Sequence, residues 1–308
     1  MSLKDINLDL VRVTEAAARA ASAWAGSGDK ESADKAATEA MRERLNQISF
    51  AARVVIGEGI KDKSFGLFAG EKVGRFAADP QAPFYELAVD PIEGTRPVAN
   101  SGPEATSVIA VAEAGCLFST REFYMKKLAY GPEIASRLEL DLTDPLDKTI
   151  KVVSAVTGKE VRKIVVCVLE RPRHDKLIAE LRQIGVRIKL IQDCDVSGAI
   201  ATCLPDSGID LLCGIGGAPE GVVSACAIKC LRGGLKTQIV RRDFTPADMA
   251  TYSVDDLVKG DCAFAATGIT TGSILKGVRY TSRGAVTHSV FMRSESGTVR
   301  WLTAYHGN

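Results

Sequence analysis

Tyr85-Glu86-Leu87-Ala88-Val89-Asp90-Pro91-Ile92-Glu93-Gly94-Thr95 joins an apolar run to a turn that carries two carboxylates and a hydroxyl. The run 85–89 predicts a short buried strand with Asp90 at its carboxyl end, where ligands of open α/β sheets collect. Pro91 fixes φ and removes a backbone donor, while Gly94 lets the chain approach a ligand closely. An isolated Asp-Pro would read as a surface turn. Asp, Glu and Thr together on one tight turn point instead to metal-assisted phosphate chemistry, since hard divalent ions want oxygen ligands.

The same device recurs upstream, where Val54-Val55-Ile56 stops at Gly57-Glu58-Gly59 and again delivers a carboxylate from a strand end onto a glycine-flanked turn. Before it, apolar residues at helical spacing predict a helix over 7–24, closed by Gly26-Ser27-Gly28, and a second from Asp29 to Leu45 with Asp34 near its start. Further strands are expected at 107–112, 126–129 and 139–142, and a weak helix or loop at 145–160. From 163 onward strands (164–169, 186–191, 211–213) alternate with helices (174–184, 196–203, 222–231), the pattern of parallel βαβ units. Late strands at 263–270 and 286–293 close the chain. The shift near 160 predicts an N-terminal α+β metal-binding subdomain, 1–160, and a C-terminal α/β substrate-binding subdomain, 161–308.

Composition narrows the class. The 308 residues are 46% hydrophobic and 25% charged, which excludes disordered and fibrous chains. A formal charge of +1 gives no reason to expect nucleic acid or an anionic membrane surface. The N-terminus lacks a signal-like apolar core, so a soluble cytoplasmic protein is expected. Eight scattered cysteines show no metal-binding spacing and read as reduced core residues.

Five carboxylates, Asp34, Glu58, Asp90, Glu93 and Glu220, each stand beside glycine or at a helix start. Singly each is more often a solvated surface acid; their common placement suits Mg²⁺ or Mn²⁺. Gly214-Ile215-Gly216-Gly217-Ala218-Pro219-Glu220-Gly221 follows an apolar strand and precedes a helix, so it reads either as a phosphate cradle or as a structural glycine turn. It matches neither a dinucleotide fingerprint nor a P-loop. Arg171-Pro172-Arg173-His174-Asp175 suits a phosphate far from the reacting one, with a merely solvated basic turn as the rival. Asp193-Cys194-Asp195 offers acceptors for sugar hydroxyls. Trp24 and Trp301 read as packing residues, and His174 more readily as structural than as an acid or base.

Asp90 to Thr95 resembles the metal-binding signature of the Mg²⁺-dependent, lithium-sensitive sugar and inositol phosphatases. Val55-Ile56-Gly57-Glu58-Gly59, Gly70-Glu71-Lys72-Val73-Gly74, Arg171 to Asp175, Leu204-Pro205-Asp206 and Gly214 to Ser224 together resemble the bacterial class II fructose-1,6-bisphosphatases. The resemblance implies a layered α/β/α/β/α sugar-phosphatase fold with two subdomains. It implies metal ligation by Asp34, Glu58, Asp90, Glu93 and Glu220, and catalytic roles for Thr95, Lys30 and Glu58. Substrate contacts would fall on Glu93, Gly94, Thr95, Tyr124, Arg171, Pro172, Arg173, Asp193, Cys194, Asp195 and Gly217. Three departures stand out: Ile60-Lys61-Asp62-Lys63-Ser64-Phe65-Gly66 is less acidic than the resemblance leads one to expect, Cys194 replaces an expected glycine, and the segment between Arg242 and Ala263 is shorter than in longer members.

The implied reaction is metal-dependent hydrolysis of the 1-phosphate of fructose 1,6-bisphosphate, with two or more Mn²⁺ or Mg²⁺ ions and a homo-oligomer, dimer or tetramer. Sedoheptulose 1,7-bisphosphate, inositol phosphates and nucleotide phosphates are the alternative substrates. A non-catalytic sugar-phosphate or nucleotide-binding module is the alternative of a different class.

Overall fold

Apolar residues at Leu10, Val11, Val13, Ala17, Ala18 and Ala21 all lie on one stripe of the first helix, α1 (Asn7–Ser22), and all are buried. Burying each larger aliphatic side chain stabilises the fold by about 1.5–3 kcal/mol. The structure, a computed structural model, describes residues 6–58, 65–120 and 124–307. Helix α2 (Lys30–Leu45) starts at the N-cap Asp29, whose carboxylate accepts the Ser32 N–H at 3.0 Å, and buries Ala33, Ala37, Met41 and Leu45. There follow β1 (Ala51–Ile56), β2 (Lys72–Val73), β3 (Phe84–Glu93), α3 (Thr95–Ala99) and β4 (Thr106–Glu113).

The chain then builds a second set of elements: β5 (Tyr124–Tyr130), α4 (Pro132–Ala135), α5 (Leu146–Thr157), β6 (Val165–Leu169), α6 (Asp175–Ile184), β7 (Arg187–Ile191) and α7 (Asp195–Ala201). These continue as β8 (Leu211–Gly217), α8 (Ala218–Cys230), β9 (Gly234–Val240), β10 (Pro246–Ser253) and α9 (Val254–Leu257). Four strands end the chain: β11 (Cys262–Gly268), β12 (Arg279–Thr281), β13 (Gly284–Arg293) and β14 (Thr298–His306).

Two compact units result: residues 1–119 with 258–308, and residues 120–257. In the first, an eight-stranded sheet runs β12-β13-β11-β4-β3-β1-β2, with β14 pairing β13. Its only parallel pair among the described residues is β1 with β3. Strand alternation sends Leu87, Val89, Ile109, Val111, Ala263, Ala265 and Phe291 into one core with the buried faces of α1 and α2. The second unit holds a six-stranded sheet, β10-β9-β5-β8-β6-β7. Its core gathers Leu128, Tyr130, Val166, Val168 and Leu211 with Ile150 and Val153 of α5 and Ile178 and Leu181 of α6. Helix α8 is buried nearly all round, as expected of a helix apolar on every side.

The α/β class therefore holds, with several differences in detail. The unit boundaries fall at 119/120 and 257/258 and not near 160, because β5 pairs with β8 and β9 while β11 to β14 return to the first sheet. Strand and helix alternate as expected, yet among the described residues only β6–β7 and β6–β8 are parallel in the second sheet. Residues 139–142 form no strand. Leu140 and Leu142 are buried without sheet pairing, and the Leu140 N–H donates to the Tyr130 hydroxyl at 3.1 Å. The uncertain stretch 145–160 is helix α5, closed by Gly158 in the left-handed region at φ 67°. Trp24 packs on the core, whereas Trp301, on β14, is 52% exposed and is no core residue.

Candidate active site

Asp90 and Glu93 are three residues apart, a spacing that would normally point their side chains to opposite faces of a strand. Strand β3 does not end at Asp90 as expected but continues through Pro91 and Ile92 to Glu93. Opposite β4, Asp90 pairs with Val108 and Glu93 with Thr106, so three steps on one strand face two on the other. That extra residue is a β-bulge, which re-aims side chains. Carboxylate oxygens of Asp90 and Glu93 consequently lie within 4.8 Å of one another. Pro91 and Ile92 are buried beneath them, and Asp90 Oδ1 accepts the Ile92 N–H at 3.0 Å. Gly94, at φ 101°, then turns the chain into α3, whose first residue is Thr95.

The other residues expected around the first unit's site take these places. Lys30 is exposed on the first turn of α2, and Asp34 follows one turn later on the same helix face. Burial raises the Asp34 pKa above the ordinary carboxylate value, so its charged form is desolvated and wants a cation. Glu58 follows β1, and its N–H donates to Leu67 O at 2.9 Å. Within this unit neither Asp34 nor Glu58 joins Asp90 and Glu93 in a group of three acids, among the described residues. Residues 59–64, which include Gly59 and the less acidic Ile60 to Ser64, lie outside the described residues.

In the second unit the glycine stretch is strand for most of its length, with Gly217 as the N-cap of α8. Strand β8 runs through Gly217, so Gly214 to Gly217 are in extended pairing with β5, Gly217 opposite Tyr124. Their lack of side chains has another use. A Cβ at Gly216 would fall 1.9 Å from Asp195 Oδ2, and one at Gly217 would fall 1.7 Å from Glu220 Oε2. The glycines clear space for two carboxylates.

Those carboxylates are Asp195, the first residue of α7, and Glu220, in the first turn of α8. Lys127 reaches them from β5: it is 2% exposed and its Nζ lies 2.7 Å from Asp195 Oδ2. Burial, then the Asp195 charge, push the Glu220 pKa up, and Lys127 opposes them. Glu220 Oε2 is shielded from solvent and has no hydrogen-bond partner among the described residues. A buried carboxylate oxygen without a donor is an energetic liability that a bound cation removes. These carboxylate oxygens are the donor type a hard divalent ion takes.

The basic turn splits into two differently held cations. Arg171 pairs with Asp193. Arg173 donates Nε and Nη2 to Ile215 O at 2.9 and 2.8 Å and lies over the rings of Tyr124 and Phe244. Pro172 opens the 3-10 turn between them. His174 is 2% exposed; its Nδ1 meets Leu169 O at 2.7 Å and its Nε2 accepts the Ile215 N–H at 2.7 Å. Both ring nitrogens are occupied, so His174 is structural. Cys194 explains the expected glycine: it stands at φ 68° as the N-cap of α7, a backbone conformation that disfavours side chains. Two residues of this site escaped the sequence reading. Lys127 sits in Lys126-Lys127, where strand alternation sends one lysine outward and the other inward, and Phe244 is a lone aromatic in a polar turn.

Comparison with known proteins adds a decisive observation. Residues 4–306 match the family described as bacterial fructose-1,6-bisphosphatase, glpX-encoded. The chain belongs to this family. It is 39% identical to fructose-1,6-bisphosphatase 1 class 2 of Escherichia coli (strain K12) over 326 aligned positions, covering 98% of this chain and 95% of that protein. The class 2 fructose-1,6-bisphosphatase of Shigella flexneri shows the same identity and coverage. Among solved structures, inositol monophosphatase from Anabaena (Nostoc) sp. PCC 7120 aligns with a TM-score of 0.40 at 14% identity, over 82% of this chain and 90% of that one.

Proposed function

We propose that this chain hydrolyses the 1-phosphate of fructose 1,6-bisphosphate, yielding fructose 6-phosphate and inorganic phosphate. The observation that carries the reading is family membership across residues 4–306. The desolvated acids add to it, because they need the cations such a reaction uses.

Asp34, Glu58, Asp90, Glu93 and Glu220 hold Mn²⁺ or Mg²⁺ in this reading. When bound, such ions supply a Lewis acid for the phosphate oxygens and acidify the attacking water. The chain's own groups do the rest. Thr95, at the start of α3, orients the water, and Lys30 meets charge on the reacting phosphate. Arg173, Tyr124 and Gly217 receive the distal end of the substrate, so binding energy spent there places the reacting end for in-line attack. Asp195, fixed by Lys127, accepts a sugar hydroxyl. Work in the cytoplasm, in gluconeogenic carbohydrate metabolism and as a dimer or tetramer, completes the proposal.

A substrate panel tests it. Phosphate release should be fastest from fructose 1,6-bisphosphate, with ³¹P spectroscopy showing fructose 6-phosphate as the product. Faster release from inositol monophosphate or from a nucleotide 3′-phosphate would overturn the assignment. Comparable release from sedoheptulose 1,7-bisphosphate would widen it to ketose bisphosphates.

A further inference from the structure

Phe244 occupies the tip of the hairpin between β9 and β10 with φ 65°. A bulky side chain in the left-handed region is a genuine outlier, and it persists only where its surroundings over-determine it. Here they do. The Arg241 N–H donates to Thr245 O at 2.8 Å, the Phe244 N–H donates to Arg241 O at 2.9 Å, and Asp243 Oδ1 accepts the Thr245 N–H at 3.1 Å and its hydroxyl at 2.6 Å.

The ring so placed is half-exposed and belongs to neither apolar core. It stands edge-on to Tyr124, centroids 5.1 Å apart at 68°, and the guanidinium carbon of Arg173 is 5.3 Å from its centroid and 5.7 Å from that of Tyr124. The Ile215 carbonyl holds one edge of the same guanidinium. The direct contacts that fix Arg173 are therefore all neutral, with no carboxylate in ion-pair range among the described residues and Asp195 acting on it only from farther off. Arg171, two residues away, is neutralised by Asp193. One of the two guanidinium groups is thus left without an ion-pair partner and with a preset orientation, as a phosphate dianion requires.

We propose that Phe244 is a positioning residue that sets Arg173 for the phosphate distal to the reacting one, so that this strained hairpin selects bisphosphates over monophosphates. The inference rests on the fructose-bisphosphatase reading. It explains why an aromatic side chain is kept at a backbone position where asparagine or glycine would be less strained.

Phe244→Asn separates this role from a structural one, because asparagine tolerates the left-handed region. The variant should melt at or above the wild-type temperature, while its KM for fructose 1,6-bisphosphate rises about tenfold with little change in kcat. The kcat/KM ratio of fructose 1,6-bisphosphate over p-nitrophenyl phosphate should fall by the same factor. Phe244→Tyr, which keeps the ring, should restore both. A wild-type KM and ratio in Phe244→Asn overturns the inference, as does a lowered melting temperature with the ratio unmoved. Wild-type protein that releases no phosphate from fructose 1,6-bisphosphate overturns the reaction itself, a result distinct from either.

Discussion

Replacing Lys127 with methionine removes a charge from one of the most enclosed polar contacts in the second unit while nearly preserving side-chain length. The Lys127 and Asp195 side chains are 1% and 7% exposed, with Nζ 2.7 Å from Oδ2. At an effective dielectric near 20 the Coulomb attraction at that distance is about 6 kcal/mol, part of which offsets the desolvation of both ions. What the variant suffers is the charge left behind: Asp195 stays buried without its cation, beside a Glu220 whose own charge already disfavours it. Removing one partner of a buried pair costs about 3–5 kcal/mol. Urea denaturation in chelator, followed by circular dichroism, should show a loss of that size. The double variant Lys127→Met/Asp195→Asn removes both charges and should recover at least about 2 kcal/mol of it, giving a coupling energy that two independent sites would not show. A single variant within about 1 kcal/mol of wild type, or a double variant whose loss is the sum of its parts, would mean that Lys127 and Asp195 are not a coupled buried pair.

Gly217→Ala places a Cβ 1.7 Å from Glu220 Oε2 and must swing that carboxylate away; divalent-ion affinity measured by calorimetry should fall at least about tenfold, roughly 1.4 kcal/mol, and unchanged affinity would remove Glu220 from the ligand set. Arg173→Ala should raise the KM for fructose 1,6-bisphosphate by about 2–3 kcal/mol of lost charged hydrogen bonding, of order 50-fold, and an unmoved KM would place the distal phosphate elsewhere. His174 is held neutral: burial lowers its pKa below the ordinary histidine value, against the raising effect of the Leu169 carbonyl. The folded state then binds fewer protons than the unfolded one, so this contribution to stability is complete above about pH 6.5 and is lost as pH falls from there through the folded pKa. His174→Gln should flatten the pH dependence of the urea midpoint between about pH 7.5 and 5.5; an unaltered slope would show that another group carries it.

How much was legible follows from where each signal resides. The apolar run before Asp90 and the glycine after Glu93 are local features, and the strand and the turn at Gly94 stand where they put them, although the strand runs on through Pro91 to Glu93. The bulge that turns Asp90 and Glu93 to one side depends on pairing with a strand that begins at Thr106, and composition carries no trace of it. Gly216 and Gly217 read as a phosphate loop because glycine before a helix usually signals backbone freedom. Their actual demand is clearance for Asp195 and Glu220, which arrive from two separate helices. The boundary expected near 160 tracked a change of secondary-structure rhythm, whereas sheet membership is decided by the long-range pairing of β5 and of β11 to β14. Lys127 and Phe244 were overlooked for opposite reasons: a lysine pair looks solvated, and an aromatic in a polar turn looks incidental.

Carboxylates desolvated in this fold should do chemistry only with a divalent ion beside them. The decisive experiment follows phosphate release from fructose 1,6-bisphosphate in chelator and then during titration with Mn²⁺ or Mg²⁺. No release is expected in chelator, with a saturable return as the ion is added. Undiminished release in chelator would show that these acids work without a metal ion.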